Sequence, residues 1–378
     1  MPPRRILYLS GTRADFGLMQ STLQRIHQTP GLQVQVAVTG THLSPQHGHT
    51  VDEVRASGLP IAAEIPVDVL TRTGASMAIA IADVVRGMTA LLERERPDAL
   101  LLLGDRGEML AGAIAALHVG VPTVHVHGGE RSGTVDEPVR HAISKLASYH
   151  FVATEGARER LRKMGEAADR IFLTGAPGID GLAAMDTGTH EQCLQDLGLP
   201  PQADFVLALF HPVVQQADDA AAQARTVMQA LTALGLPVLW LDPNADAGSR
   251  EILQALQQDA LPAGSRRATH LPRAQFFAAM RHCAVMAGNS SSGIIEAASF
   301  GTPVVNIGSR QHMREHGPNV VDVPVEAAAI EQALRAQRSH SRWPCENPWG
   351  DGQAGERIAQ LLAQLPLGPT VLEKTNSY

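Results

Sequence analysis

The chain has 378 residues, more than one compact core usually holds, so two domains are the starting expectation. A formal net charge of −7, with Lys and Arg scattered in ones and twos, leaves no basic stripe and excludes polymeric nucleic acid as a partner. Three cysteines far apart, Cys193, Cys283 and Cys345, form neither a disulfide framework nor a metal-binding pair, which suits a reducing compartment and points to the cytoplasm.

Met-Pro-Pro-Arg-Arg leads straight into a strand-like run at 6–9, too short for a signal-peptide core. No window approaches the roughly 20 apolar residues of a membrane span, so no membrane is expected. Short apolar runs then alternate with longer helical patterns to the end of the chain. Strands are predicted at 5–9, 33–38, 99–103, 123–126, 150–153 and 170–173, then at 205–209, 237–241, 268–271, 283–286, 304–307 and 320–323. Most are apolar on consecutive residues, as strands of a parallel sheet covered on both faces are. The stretches 75–95 and 220–234 are long enough for crossover helices. Gly, Asp, Thr and Pro cluster at 178–201 around a short helical segment at 191–196, which places the domain change-over there. The expectation is therefore an α/β chain of two Rossmann-like parallel-sheet domains, 1–180 and 181–355. Ligands of such folds bind at the carboxyl ends of the strands, here in a cleft between the sheets.

Polar motifs do gather at predicted strand ends. In Gly288-Asn-Ser-Ser-Ser-Gly293, glycine lets the backbone approach an anion, and free amides and hydroxyls can cradle a phosphate. The same residues would also serve as an ordinary helix cap. Glu296 follows within the first turns, where a carboxylate can accept both hydroxyls of a ribose, and a diphosphate joined to a ribose is a nucleotide. There is no phosphate-loop signature, and Gly350-Asp-Gly352-Gln-Ala-Gly355 follows no strand, so this dinucleotide fingerprint is read as a decoy. Arg13 and Arg310 each follow a strand and a glycine and could clamp phosphates, though lone arginines are commonly surface residues. His42 and His211 sit in similar settings, His211 directly before a proline that fixes its exit direction.

The densest chemistry lies in Gly104-Asp-Arg106 and in 125–141, beginning His125-Val-His127-Gly-Gly-Glu130. Strand periodicity places His125 and His127 on one face. Too few further ligands stand at a metal-site spacing, which leaves acid/base work. Asp136 and Glu137 open an amphipathic helix and could simply complement its dipole, with Asp136 four residues before Arg140. Asp105 ends the most apolar strand, where partial burial would raise its pKa.

Eight motifs in order resemble the hydrolysing UDP-N-acetylglucosamine 2-epimerases: 10–17, 38–44, 103–106, 125–130, 136–143, 175–178, 288–293 and 306–311. The resemblance implies a glycosyltransferase-B architecture, with a final helix at about 356–365 and the segment to 378 returning to the first domain. It implies a UDP-sugar substrate, release of a free manno-configured amino sugar and UDP through a 2-acetamidoglucal, nonulosonate biosynthesis, no cofactor and no metal, and a homo-oligomer, dimer or tetramer. Carried over by position, the catalytic candidates are Asp105, His127, Asp136 and His211. The UDP-sugar contacts are Arg13, His42, Glu130, Phe276 (against the uracil), Ser290, Ser291, Ser292, Glu296 and Arg310. His127 departs from the pattern, standing where many members have glutamate, which leaves the choice open between UDP-GlcNAc, a UDP-2,4-diacetamido-2,4,6-trideoxyhexose and a GDP-linked sugar. A non-hydrolysing epimerase, a retaining transferase and a silent sugar-nucleotide sensor remain alternatives.

Overall fold

The computed structural model describes every residue except Met1, Arg72, Gly133, Thr134, Ala245 and Ser341. The chain forms two compact units, Met1–Glu130 with Asp136–Asp180 and Trp349–Tyr378 in unit 1, and Arg131–Val135 with Gly181–Pro348 in unit 2.

Unit 1 is a seven-stranded parallel sheet: β1 (Arg4–Ser10), β2 (Leu32–Thr39), β3 (Ile61–Ile65), β4 (Ala99–Leu103), β5 (Thr123–Val126), β6 (Tyr149–Val152) and β7 (Ile171–Leu173). Its helices are α1 (Arg13–Gln28), α2 (Val51–Ala56), α3 (Gly74–Glu95), α4 (Gly107–Val119), α5 (Asp136–Leu146) and α6 (Glu155–Lys163). Strand order is β3-β2-β1-β4-β5-β6-β7, so the winding reverses between β1 and β4. The run of leucines in β4 is explained by two covered faces: Leu101 and Leu103 join the core shared with α1, while Leu100 and Leu102 join the core under α3 and α4. Each such leucine contributes about 1.5–3 kcal/mol by burial.

Unit 2 is built from α7 (His190–Leu197), β8 (Val206–Leu209), α8 (Ala220–Leu234), β9 (Val238–Leu241), α9 (Ser249–Gln258), β10 (Arg266–Ala268), α10 (Arg273–His282), β11 (Val285–Gly288), α11 (Ser291–Ile295), β12 (Val304–Ile307), β13 (Val320–Val323) and α12 (Ala327–Ser339). Its six parallel strands run β10-β9-β8-β11-β12-β13, with the reversal between β8 and β11. The last helix, α13 (Ala354–Gln364), belongs to unit 1 and buries Ile358, Ala359 and Leu362 in the core shared with α1. Its N-terminal amides are taken by the Asp180 carboxylate, 2.9 Å from Ala354 N and 2.6 Å from Gly355 N. The glycine-rich stretch at 350–355 therefore seats a carboxylate of its own chain.

Four sequence expectations need correction. Strand β3 was missed, because Ile-Ala-Ala-Glu-Ile is an edge strand with one buried residue and little apolar bulk. The strand expected at 268–271 lies at Arg266–Ala268, an edge where exposed arginines replace the apolar signal, and that expected at 283–286 is Val285–Gly288. Finally, α3 is long and apolar enough by length and composition to cross a membrane, although Asp83 and Arg86 interrupt its apolar run. Here α3 buries Val84, Met88, Leu91 and Leu92 and leaves Ile79 exposed.

Candidate active site

In unit 1 the functional candidates stand at the carboxyl ends of β1, β4 and β5, beside the reversal in strand order. At the end of β1, Thr12 caps α1 and Asp15 completes the capping box. The buried Asp15 carboxylate also accepts from Gly11 N at 3.0 Å, Thr12 N at 2.7 Å and Ser10 Oγ. Burial pushes its pKa up against the pull of His42 and these donors. His42 is fully buried, with Nε2 2.9 Å from Ser10 Oγ and Nδ1 2.9 Å from Thr50 Oγ1, and burial lowers its pKa. Both ring nitrogens are thus used inside the unit. Arg13 opens α1, and its Nε lies 2.7 Å from Glu53 Oε1 in a part-exposed ion pair.

At the end of β4, Gly104 turns the chain with φ = 81° and Asp105 meets the guanidinium of Arg140, which is 1% exposed. Asp105 is partly buried, as expected, with a buried cation as its immediate neighbour. Arg140 also donates to Glu130 O at 3.1 Å. It reaches both because α5 places Asp136, Arg140 and Ser144 four residues apart, on one face. His125, fully buried, donates from Nε2 to Gly104 O at 2.7 Å and accepts at Nδ1 from Ser144 Oγ at 3.1 Å. Burial lowers its pKa to about 3, so the ring is neutral and this proton placement follows.

His127 does not share that face. It lies one residue past β5 with φ = 65°, a left-handed conformation that a histidine adopts only when its surroundings impose it. Those surroundings are the buried Glu130 carboxylate, bonded to Nδ1, and the indole of the fully buried Trp349, stacked at 6.0 Å and 28°. Among the described residues Nε2 makes no hydrogen bond. The Glu130 carboxylate thereby orients His127, an arrangement that fixes which nitrogen handles a proton. Asp136 begins α5, while Glu137 lies 3.4 Å from His141 on the same helix.

In unit 2 the candidates stand at the ends of β8, β11 and β12, again at the reversal. Gly288 has φ = 136°, and a Cβ there would lie 1.8 Å from Leu209 O, so only glycine lets β11 exit so close to β8. The buried Asn289 then ties the loops together. It accepts from His211 N at 2.7 Å and donates to His211 O at 2.8 Å, while its own carbonyl accepts from Arg310 at 3.1 Å and Gln311 at 3.2 Å. His211 Nδ1 accepts from Asn244 N at 3.1 Å, so a neutral ring carries its proton on Nε2. Ser290 caps α11, its Oγ 2.8 Å from Ser292 Oγ, and Ser291 is half-buried beside them. Because α11 is five residues long, local amides and hydroxyls matter more here than a macrodipole. Glu296 ends that helix and is 3% exposed. Phe276, on α10, is half-buried with its ring 5.4 Å from that of Phe277.

Two clusters result, an ionic one in unit 1 and a largely neutral one in unit 2. Arg140, Asn289, Trp349 and Asp15, which organise the two clusters, were not among the expected site residues. Only Arg140 carried a signal, its i+4 spacing from Asp136, and that spacing pointed to a helix pair rather than to Asp105. Among the described residues no three His, Cys, Asp or Glu side chains converge as a metal site.

Comparison with known proteins gives consistent matches. The profile of the UDP-N-acetylglucosamine 2-epimerase family matches residues 24–363. A hydrolysing UDP-N,N'-diacetylbacillosamine 2-epimerase of Legionella pneumophila is 47% identical over 99% of this chain and 100% of that protein. A UDP-N-acetylglucosamine 2-epimerase of Neisseria meningitidis is 32% identical over 95% of each chain. The fold is similar to the crystal structure of a UDP-GlcNAc 2-epimerase from Neisseria meningitidis bound to UDP-GlcNAc, with TM-score 0.79 and 18% identity over 96% of this chain and 100% of that one.

Proposed function

The chain belongs to the UDP-N-acetylglucosamine 2-epimerase family, and from that premise we propose that it is a hydrolysing 2-epimerase acting on a UDP-linked 2,4-diacetamido-2,4,6-trideoxyhexose. The observation that carries the substrate choice is the 47% identity over the whole length of the Legionella enzyme, against 32% for the Neisseria UDP-N-acetylglucosamine enzyme. His127, in place of the usual glutamate, fits a modified sugar.

In the proposed reaction a base removes the sugar H2 while UDP leaves from C1, giving a 2-acetamidoglucal. Water adds to C1, and a proton returns to C2 on the opposite face. Asp105, Asp136 and the Glu130-oriented His127 are assigned the proton transfers. The serine loop, His211, Glu296 and Arg310 are assigned the UDP portion, with Phe276 against the base. H2 is weakly acidic, so stabilising the departing diphosphate must supply much of the barrier reduction. The same reading carries a cytoplasmic enzyme that needs no cofactor and assembles as a dimer or tetramer.

The test is UDP release from UDP-2,4-diacetamido-2,4,6-trideoxyglucose and from UDP-GlcNAc, assayed side by side with product identification. A kcat/KM favouring the diacetamido sugar is expected. Preference for UDP-GlcNAc overturns the substrate choice, and interconversion without UDP release overturns hydrolysis.

A further inference from the structure

The groups placed around Asp105 are themselves held from a distant part of the chain. The far end of α5 leaves backbone carbonyls without helical partners, and such carbonyls are normally capped by water or by a cationic side chain. Here the cap is Lys374, from the segment after α13. Its ammonium donates to Ser144 O and Ala147 O, both at 2.8 Å, and pairs with Glu166 at 2.6 Å. Glu166 is 1% exposed and also binds Lys145 at 2.8 Å and His150 at 2.9 Å. The segment is pinned on either side of Lys374, by Arg170 donating to Val371 O at 2.7 Å and by Ser377 N donating to Gly165 O at 2.9 Å.

A cap at this end of α5 bears on the other end because the helix is a rigid rod of three turns. Arg140, four residues before Ser144, holds the Asp105 carboxylate. Ser144 itself bonds His125, which bonds the carbonyl of Gly104, the residue before Asp105. Two routes from one helix face therefore converge on Asp105, one on its carboxylate and one on the backbone that carries it.

We propose that Lys374 is a positioning residue for the reaction, fixing α5 so that Arg140 and the Ser144–His125 pair hold Asp105 in its working geometry. This rests on the function assigned above. Misplacing a reacting group by about 1 Å can cost roughly a hundredfold in rate.

The experiment compares wild type, Lys374→Met and Lys374→Arg in two readouts, UDP release kinetics and amide hydrogen exchange. Lys374→Met is expected to lower kcat by roughly tenfold or more with KM unchanged, and to speed exchange along 136–146 and at 104–106. Lys374→Arg, which can still cap carbonyls, is expected to recover most of both. A Lys374→Met enzyme with wild-type kcat, or faster exchange confined to 369–378, overturns the proposal. If wild type releases no UDP, the functional reading fails and the exchange pattern alone decides the positioning role. If Lys374→Met does not fold, Lys374→Gln takes its place in both readouts, and a wild-type kcat or faster exchange confined to 369–378 again overturns the proposal.

Discussion

The two clusters are built on different physics. In unit 1 carboxylates are held by close partners: part-buried Asp105 by the buried Arg140, Glu130 by His127, and Asp15 by backbone amides. In unit 2 the organising residue is a neutral amide, Asn289, and one cation, Arg310, stands beside a loop of hydroxyls. Paired charges fix geometry and protonation, which suits proton transfer, whereas hydroxyls, amides and an arginine suit holding an anion already present in the ground state. Under the proposed function, turnover is therefore expected to depend on unit 1 and nucleotide affinity on unit 2.

The sharpest way to break that assignment is Asp105→Asn. Loss of a positioned acid/base group is expected to cut kcat by about 10³-fold while UDP affinity, read by calorimetry, stays within a factor of two or so of wild type. A parallel fall in affinity would dissolve the distinction. Arg310→Ala is the mirror test. Removing a charge-assisted hydrogen bond is expected to weaken UDP binding by about 1.5–3 kcal/mol, roughly tenfold to a hundredfold, with a smaller effect on kcat at saturation.

The smallest effect concerns stability and sharpens the view of unit 1 as a set of buried titratable groups. His125 has a folded pKa of about 3 against 6.5 for a free histidine. Between those values the unfolded chain binds the extra proton, so this residue makes stability fall as pH drops below about 6.5 and leaves it flat above. His125→Gln can keep both hydrogen bonds without titrating. It is expected to remove on the order of 1 kcal/mol of the stability lost between pH 7 and 5 in urea melts.

Glu166 should add acid lability at lower pH. Burial alone would raise its pKa, but hydrogen bonds from His150, Lys145 and Lys374 outweigh it and bring the value to about 2. Its stabilising share is therefore present above the usual glutamate value and lost as pH falls toward 2.

How much of this was legible in the sequence follows the same physics. Strands apolar on consecutive residues, such as Ala99–Leu103, stood out because both faces are buried, while the edge strand Ile61–Ile65 carries little apolar bulk and did not. Strand-end glycines and serines marked the loop at 288–293 because close backbone approach leaves a composition signature. Partner choice left none. Nothing local says that Arg140 reaches Asp105, that His127 leaves the strand to meet Glu130, or that Lys374 caps a helix more than two hundred residues away. The buried partners of His42 were not legible, because a histidine at a strand end has the same local pattern whatever its nitrogens face, here Ser10 and Thr50.

Elimination of UDP and proton transfer at C2 are read at once by a time course in D2O with UDP-2,4-diacetamido-2,4,6-trideoxyglucose. The expected result is one deuterium at C2 of a free manno-configured sugar for each UDP released. UDP release with no deuterium at C2, or a product still linked to UDP, would contradict it.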